Sequence, residues 1–194
     1  MDTVSYSVGV LIAKNLKNQG MTSVDASSMA AAVADVFADN ALKISPEQAQ
    51  SIFQNYMTQQ KEKLNADKIA AGKAFLEENG KRPEVTVLES GLQYEVLQAG
   101  AGPKPTKSNK VTVHYEGTLI DGTVFDSSYK RGNPATFGVT QVIQGWVEGL
   151  QLMQPGAKWK LYIPYDLAYG ERGSPPQIGP YSALIFTVEM ISIQ

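Results

Sequence analysis

The spacing of apolar residues changes once along this chain of 194 residues, and that change limits the folds it can adopt. Before residue 80, apolar residues recur at steps of three and four, which places them on one face of a helix. After residue 88 they alternate with polar residues, as in a strand that has one packed face. The sequence therefore predicts a helical region over 1–80 and a sheet-forming domain over 88–194.

Two short helices are predicted at the start of the helical region. Apolar residues lie at helical spacing from Val4 to Leu16, and a second set follows a possible N-cap at Asp25 or Ser27. The second helix is expected to end before Asn40. Helices this short are marginal in water, so both need a partner for their apolar faces.

A long helix is predicted to connect the two regions. Ser45 can cap its first turn, and Gln48 can complete a capping box. Apart from Gly72, no helix breaker follows before Asn79-Gly80, so the helix extends over about thirty residues, or roughly 50 Å. Two short helices cannot cover its apolar positions, which favours a homodimer formed through residues 1–60. The alternative is a monomer in which the long helix packs on the second domain.

The second region is predicted to be α+β, an antiparallel sheet packed on a single short helix. Strands are expected at residues 93–97, 111–115, 158–163 and 184–190. Asp121-Gly122 predicts a hairpin turn between the strand that begins at residue 111 and a further strand at 123–125. The helix is expected over 142–153, where Pro155-Gly156 would end it.

Composition excludes several classes of function. The chain has no cysteine, so disulfides, thiolate catalysis and cysteine-bound metals are ruled out. A net charge of −2 at pH 7 provides no basic surface for nucleic acid, which is not expected as a partner. The acidic residues lack metal-ligand spacing and there is no glycine-rich phosphate motif, so neither a metal nor a cofactor is expected.

The sequence also bears on the membrane and on the compartment. No apolar run reaches the roughly 18 residues of a membrane span, so none is expected. The first residues lack the basic start and the apolar run of a signal peptide. This predicts a cytoplasmic protein for the sequence as given, and a periplasmic or exported one if a leader has been removed.

The candidate residues for a functional site are a set of aromatic and branched side chains beside the predicted turns. Its members are Tyr115, Phe125, Phe137, Val142, Ile143, Trp146, Tyr169, Ile178, Tyr181 and Phe186. All of them could belong to the core, since side chains of these types are usually buried. The sole histidine, His114, lies on the opposite strand face from Tyr115 and is expected to be structural.

Four strings of sequence, taken in order, resemble the FKBP-type peptidyl-prolyl cis/trans isomerases. They are VTVHYEG at 111–117, DGTVFDSS at 121–128, VIQGW at 142–146 and AYG at 168–170, and LIFTVE at 184–189 follows them. The resemblance runs from about Gly91 to the C-terminus. It implies a half-open antiparallel sheet wrapped around the short helix, with a proline-sized pocket between them. The layout of the whole chain is similar to the dimeric bacterial group that includes the macrophage infectivity potentiators, which implies helical dimerisation through the first region.

The resemblance also implies a role for individual residues. It places Trp146 at the floor of the pocket, and the walls would be formed by Tyr115, Phe125, Val142, Ile143 and Phe186. Polar atoms at the rim would come from Asp126 and Tyr169, and the backbone N–H of Ile143 would bind a substrate carbonyl. These eight residues are the expected catalytic set. Additional substrate contacts are expected from Phe137, Ile178 and Tyr181.

The implied activity is rotation about Xaa-Pro bonds in unfolded or partly folded polypeptides. The resemblance further implies macrolide immunosuppressants as inhibitors. One alternative is a folding chaperone that binds clients through a dimeric helical cleft, with isomerisation secondary. Another is a binding module that has kept the fold and lost activity, which Ala135 would permit because many relatives have an aromatic wall residue at this position.

Overall fold

The structure is a computed structural model that describes residues 2–194. The helices α1 (Thr3–Asn18), α2 (Ala26–Phe37) and α3 (Pro46–Asn79) come first. The remaining elements are β1 (Val85–Val87), β2 (Gln93–Gln98), β3 (Lys110–Leu119), β4 (Val124–Ser127), α4 (Ser128–Arg131), β5 (Ala135–Gly138), α5 (Gln144–Leu150), β6 (Lys158–Ile163) and β7 (Leu184–Ile193). A 3₁₀ turn, Tyr165–Leu167, lies between β6 and β7.

The helical region is formed as the sequence predicts. Of the two predicted caps for α2, Asp25 is the one used, because its side chain accepts a hydrogen bond from the Ser28 N–H at 2.7 Å. Ser45 and Gln48 form the capping box at the start of α3, with hydrogen bonds of 3.2 and 2.9 Å. From there α3 continues without interruption for 34 residues.

The chain divides into two compact units, and the boundary lies inside α3, between Ala66 and Asp67. The last turns of the helix therefore belong to the second unit, although the sequence predicts a boundary after the helix, at residue 80. In these turns the ring of Phe75 lies 6.1 Å from that of Tyr162, and Asn79 donates a hydrogen bond to the Gln93 side chain at 2.8 Å. A helical period continues unchanged through such a boundary, so the sequence pattern could not place it.

One antiparallel sheet forms the frame of the second unit. Its strand order is β1-β2-β6-β7-β3-β4, and β5 also pairs with β3. The buried face of α5 packs in one core with residues of β3, β6 and β7. Gly145 allows this close packing, since a Cβ there would lie 2.5 Å from Ile163 Cγ2. The predicted α+β arrangement is confirmed, with the sheet packed on this helix.

Three short elements, β1, β5 and α4, are not predicted by the sequence pattern. They contain only three or four residues each, too few to show either a strand or a helix period. The element α4 is a single helical turn of four residues beside the predicted helix α5. The helix α5 is also shorter than predicted, since Ile143 has extended backbone angles of −60° and 151° and stands at its N-cap.

Candidate active site

A cavity of about 680 Å³ lies beside α5 in the second unit. The predicted site residues that line it are Tyr115, Phe125, Asp126, Phe137, Val142, Ile143, Trp146, Tyr169, Ile178 and Phe186. The sequence did not single out Gln141, Ser174 and Gln177, which also line it. The fold thus brings together residues from β3, β4, β5, α5, β7 and the loops beside them.

Trp146 belongs to the core and to the cavity at once. It is 3% exposed, yet it lines the cavity. The rings of Tyr115, Phe137 and Phe186 meet it edge-on, with centroid distances of 5.3, 5.8 and 5.2 Å. Aromatic rings prefer this arrangement, so the indole is held rigidly as part of the cavity wall.

A glycine makes room for two of the aromatic walls. A Cβ on Gly117 would lie 2.6 Å from the ring of Phe125 and 2.7 Å from that of Phe186. Because this position has no side chain, the two rings can meet edge-on over the strand, with centroids 5.4 Å apart. Any side chain at Gly117 would displace at least one wall of the cavity.

The polar side of the cavity is a hydrogen-bonded triad of Tyr115, Asp126 and Arg131. The Tyr115 hydroxyl donates to Asp126 Oδ2 at 2.5 Å, and Arg131 Nη2 donates to the Tyr115 hydroxyl at 2.8 Å. Arg131 also forms an ion pair with Asp126. The position of Arg131 is not predictable from the sequence pattern, because only the turn of α4 brings this residue back towards Asp126.

The triad determines the charge state of its members. Burial opposes ionisation of Asp126, but the hydrogen bonds from Tyr115 and Arg131 and the Arg131 charge outweigh it, so the pKa of Asp126 lies below its ordinary value. Burial, followed by the hydrogen bond to Asp126, raises the pKa of Tyr115. Burial and the Asp126 charge likewise raise the pKa of Tyr169. Near neutral pH the cavity therefore has one carboxylate and two phenol groups that can donate hydrogen bonds.

Acid is expected to remove the stabilisation that comes from Asp126. Since its pKa is lower in the folded chain than the unfolded value of about 3.9, the ionised carboxylate stabilises the fold above that value, and the contribution is lost as pH falls through the folded pKa. We expect the difference in unfolding free energy between wild type and Asp126→Asn to shrink as pH falls below about 4. Urea unfolding at a series of pH values measures it, and a difference independent of pH would contradict this assignment.

Ile178 and Tyr169 lie on the connection between β6 and β7. The backbone groups of Ser174 and Ile178 exchange hydrogen bonds of 2.8 and 3.0 Å, which closes a small loop and holds Ile178 against the cavity. Tyr169 follows the 3₁₀ turn and is partly exposed at the cavity. Both residues therefore line the cavity, and their contact with substrate stays a prediction.

Tyr181 is not among the residues that line the cavity. Its backbone has a positive φ of 56°, and its N–H donates to the Gly170 carbonyl at 3.0 Å. In this conformation the ring meets Tyr165 edge-on at 5.3 Å and does not line the cavity. The expected substrate contact of Tyr181 is therefore not supported by its position.

Ile143 contributes through its backbone as well as its side chain. Its carbonyl accepts hydrogen bonds from the N–H groups of Trp146 and Val147, at 2.9 and 3.0 Å, and so begins α5. The N–H of an N-cap residue has no acceptor within its own helix. Since Ile143 lines the cavity, this N–H is a candidate donor to a bound carbonyl group.

Residues 2–194 contain no group of three or more histidine, aspartate or glutamate side chains that could hold a metal ion. In the same range, no helix is long and apolar enough to cross a membrane.

Two family models match the chain. A model described as FKBP-type peptidyl-prolyl cis-trans isomerase covers residues 102–191, and one described as the domain amino terminal to FKBP-type peptidyl-prolyl isomerase covers residues 1–96. The predicted resemblance is confirmed for both regions of the chain.

Full-length relatives and a solved structure agree with the models. The outer membrane protein MIP of Legionella longbeachae is 44% identical, over 100% of this chain and 85% of the relative. The FKBP-type 22 kDa peptidyl-prolyl cis-trans isomerase of Escherichia coli K12 is 40% identical, over 97% and 93% of the two chains. The crystal structure of FkpA from Escherichia coli matches with a TM-score of 0.82 and 39% identity, covering 98% of this chain and 93% of the other.

These matches decide between the functions left open by the sequence. The matching model and the named isomerases do not favour a chaperone with secondary isomerisation, and they identify an enzyme that acts on Xaa-Pro bonds. The chain belongs to the family of FKBP-type peptidyl-prolyl cis-trans isomerases.

Proposed function

We propose that the cavity beside α5 binds the proline of an Xaa-Pro segment, with the proline ring against Trp146. The observation that supports this most directly is a nearly buried indole, 3% exposed, that still lines a cavity of about 680 Å³. Three other rings hold the indole edge-on, so the surface offered to a proline ring is apolar and rigid.

The chemistry needs no nucleophile, metal or cofactor. Rotation about an Xaa-Pro bond is slow because twisting the amide removes its resonance, at a cost of about 18–20 kcal/mol. The planar amide has the larger dipole and is solvated better by water than the twisted amide. An apolar cavity therefore favours the twisted form relative to the planar one. Lowering the barrier by about 4–6 kcal/mol would accelerate the reaction by about three to four powers of ten.

In this proposal, polar groups around the cavity orient the bound Xaa-Pro segment. The Ile143 N–H and the Tyr169 hydroxyl donate to the carbonyl groups that flank the proline, which keeps the segment in place while the amide turns. Asp126, held by Arg131, fixes the Tyr115 hydroxyl at the rim. The aromatic walls exclude water from the bond that rotates.

A protease-coupled isomerisation assay on a short peptide with one Xaa-Pro bond tests the proposed site. We expect the cis-to-trans rate to rise linearly with enzyme concentration. A macrolide immunosuppressant should compete with the peptide, because its apolar ring system would occupy the same surface on Trp146. Isomerase activity that a macrolide does not inhibit would contradict the proposal that this cavity binds the peptide.

We further propose that residues 1–60 form a homodimer. Neither α1 nor α2 has a buried residue among those described, and Leu11 and Phe37 are 69% and 86% exposed. An apolar groove of about 370 Å³ lies between α2 and the start of α3. The monomer alternative predicts that α3 packs on the second domain, and the last turns of α3 do so. That packing does not cover the apolar faces of α1 and α2. Large exposed apolar surfaces are rare in monomers. In the proposed dimer, the apolar face of α1 from a second copy occupies this groove.

The variant Phe37→Glu is expected to weaken the dimer by about a hundredfold or more, because it would place a charge in an apolar interface. Sedimentation equilibrium measures this, and isomerisation of a short peptide should be unchanged. The matched control is Leu97→Glu on β2, which alters another exposed apolar residue and should leave the dimer intact. A wild-type protein that stays monomeric at all concentrations would contradict the proposal.

A further inference from the structure

A gap in strand pairing lies at Tyr115, in the middle of β3. On this edge of β3, pairing with β5 ends at Val113 and pairing with β4 begins at Glu116. The Ser128 hydroxyl fills the gap, since it accepts from the Tyr115 N–H at 2.7 Å and donates to the Tyr115 carbonyl at 3.2 Å. Ser128 is fully buried. One hydroxyl group therefore serves two backbone groups that would otherwise be buried without partners.

Two residues close to Ser128 in the chain hold the hydroxyl end of the Tyr115 side chain. Asp126 and Arg131, two residues before and three residues after Ser128, bind the Tyr115 hydroxyl at 2.5 and 2.8 Å. Within residues 126–131, it is Asp126, Ser128 and Arg131 that fix both the backbone and the side-chain tip of Tyr115, which lines the cavity.

The segment is also attached to the opposite face of the sheet. The Tyr129 ring stacks on His114 at 4.7 Å, and its hydroxyl donates to Glu189 at 2.8 Å. His114 Nδ1 lies 3.0 Å from Ser128 Oγ, so the hydroxyl touches both the histidine and the backbone of Tyr115. These contacts account for the structural role predicted for His114, and they hold Ser128 in place.

We propose that Ser128 is a positioning residue for the isomerase reaction. Ser128 is fully buried and does not line the cavity, so it would act through Tyr115 and not through contact with substrate. By fixing the Tyr115 backbone it determines where the Tyr115 hydroxyl stands at the cavity. The inference rests on the proposed function, because it assumes that Tyr115 and Asp126 form part of the working site.

The first test compares Ser128→Ala with Ser127→Ala. Ser127 is a matched control because it is adjacent to Ser128 and is also a buried serine. Its hydroxyl has a different partner, since it accepts from the Lys130 N–H at 3.3 Å and caps α4. We expect S128A to lower kcat by about tenfold, as a small misplacement of a positioned group does, and S127A to change it by less than about twofold. Equal effects of the two variants would overturn the proposal.

The second test is a double-mutant cycle with Tyr115→Phe. If Ser128 acts through the placement of the Tyr115 hydroxyl, then S128A should lower kcat by less than about twofold in the Y115F background. Additive losses would mean that Ser128 acts elsewhere. If Y115F itself has wild-type activity, the proposed site is wrong. If Y115F loses activity but S128A does not, only the role of Ser128 is wrong.

A third variant separates positioning from folding. Ser128→Thr keeps the hydroxyl but adds a methyl group at a fully buried position, so it should lower the unfolding midpoint while keeping kcat per folded molecule within about threefold of wild type. In S128A the Tyr115 amide proton should shift upfield in the NMR spectrum, since it loses its acceptor. Equal losses of kcat per folded molecule in S128T and S128A would overturn the role of the hydroxyl.

Discussion

Replacing Asp126 with alanine is expected to lower kcat/KM by about one to two powers of ten, less than the loss of a donor to a developing oxyanion, because Asp126 acts by orienting Tyr115. The change removes the acceptor of the Tyr115 hydroxyl and leaves the Arg131 guanidinium at the rim without its carboxylate. The Tyr115 hydroxyl would then lose the contact that orients it, and the Arg131 charge beside the cavity would be uncompensated.

The fold should tolerate the same change well. The Asp126 side chain is 41% exposed, and ion pairs at such exposure contribute little to stability. The matched control is Asp121→Ala, which removes an exposed carboxylate that accepts from the Thr123 N–H at 2.9 Å in the neighbouring turn. The measurement is kcat/KM of both variants at equal concentrations of folded protein, and only D126A should fall. Wild-type turnover in D126A would remove Asp126 from the site.

The second large effect is expected from Trp146→Ala, which should damage stability and activity together. Truncation of a buried tryptophan typically costs about 3–5 kcal/mol of unfolding free energy. The three rings packed edge-on against Trp146 would also lose their common support. We expect kcat/KM per folded molecule to fall by at least about a hundredfold, since the floor of the cavity is lost.

Trp159→Ala is the control that separates these two effects. Trp159 is 9% exposed and stacks on Tyr94 with a centroid distance of 4.4 Å, but it does not line the cavity. Its truncation should cost a similar amount of stability while turnover per folded molecule stays near that of wild type. Urea unfolding gives the folded fraction, and the peptide assay gives the turnover. Equal losses of turnover in both variants would mean that Trp146 serves only as core.

Residue type alone leaves open whether Trp146 belongs to the core or to the site. Burial statistics alone favour Trp146 as a core residue, and it is nearly buried. It lines the cavity nevertheless, while three other rings pack edge-on against it. Core and site are therefore not exclusive assignments in this fold, since the wall of a rigid apolar pocket has to be packed from behind.

Local patterns in the sequence were sufficient for the longer elements. The capping box at Ser45 and the unbroken helix after it depend on residues at most four positions apart, and the alternation in β3 has a period of two. The strings at 111–117, 121–128, 142–146, 168–170 and 184–189 likewise contain eight of the lining residues, which were identified through the resemblance to a family. Arg131, Gln141, Ser174 and Gln177 were missed because neither their type nor their spacing distinguishes them from surface residues.

By itself, then, the sequence determined the long helix, the main strands, the α+β class and the family, since each depends on a pattern within a short stretch or on a recognisable string. The tertiary structure alone decided that the domain boundary lies inside α3, that Arg131 returns to Asp126, that Tyr181 turns to Tyr165 and that Ser128 completes the pairing of β3. Each of these depends on contacts between elements, and such contacts follow from the packing of the whole unit and not from the preferences of neighbouring residues.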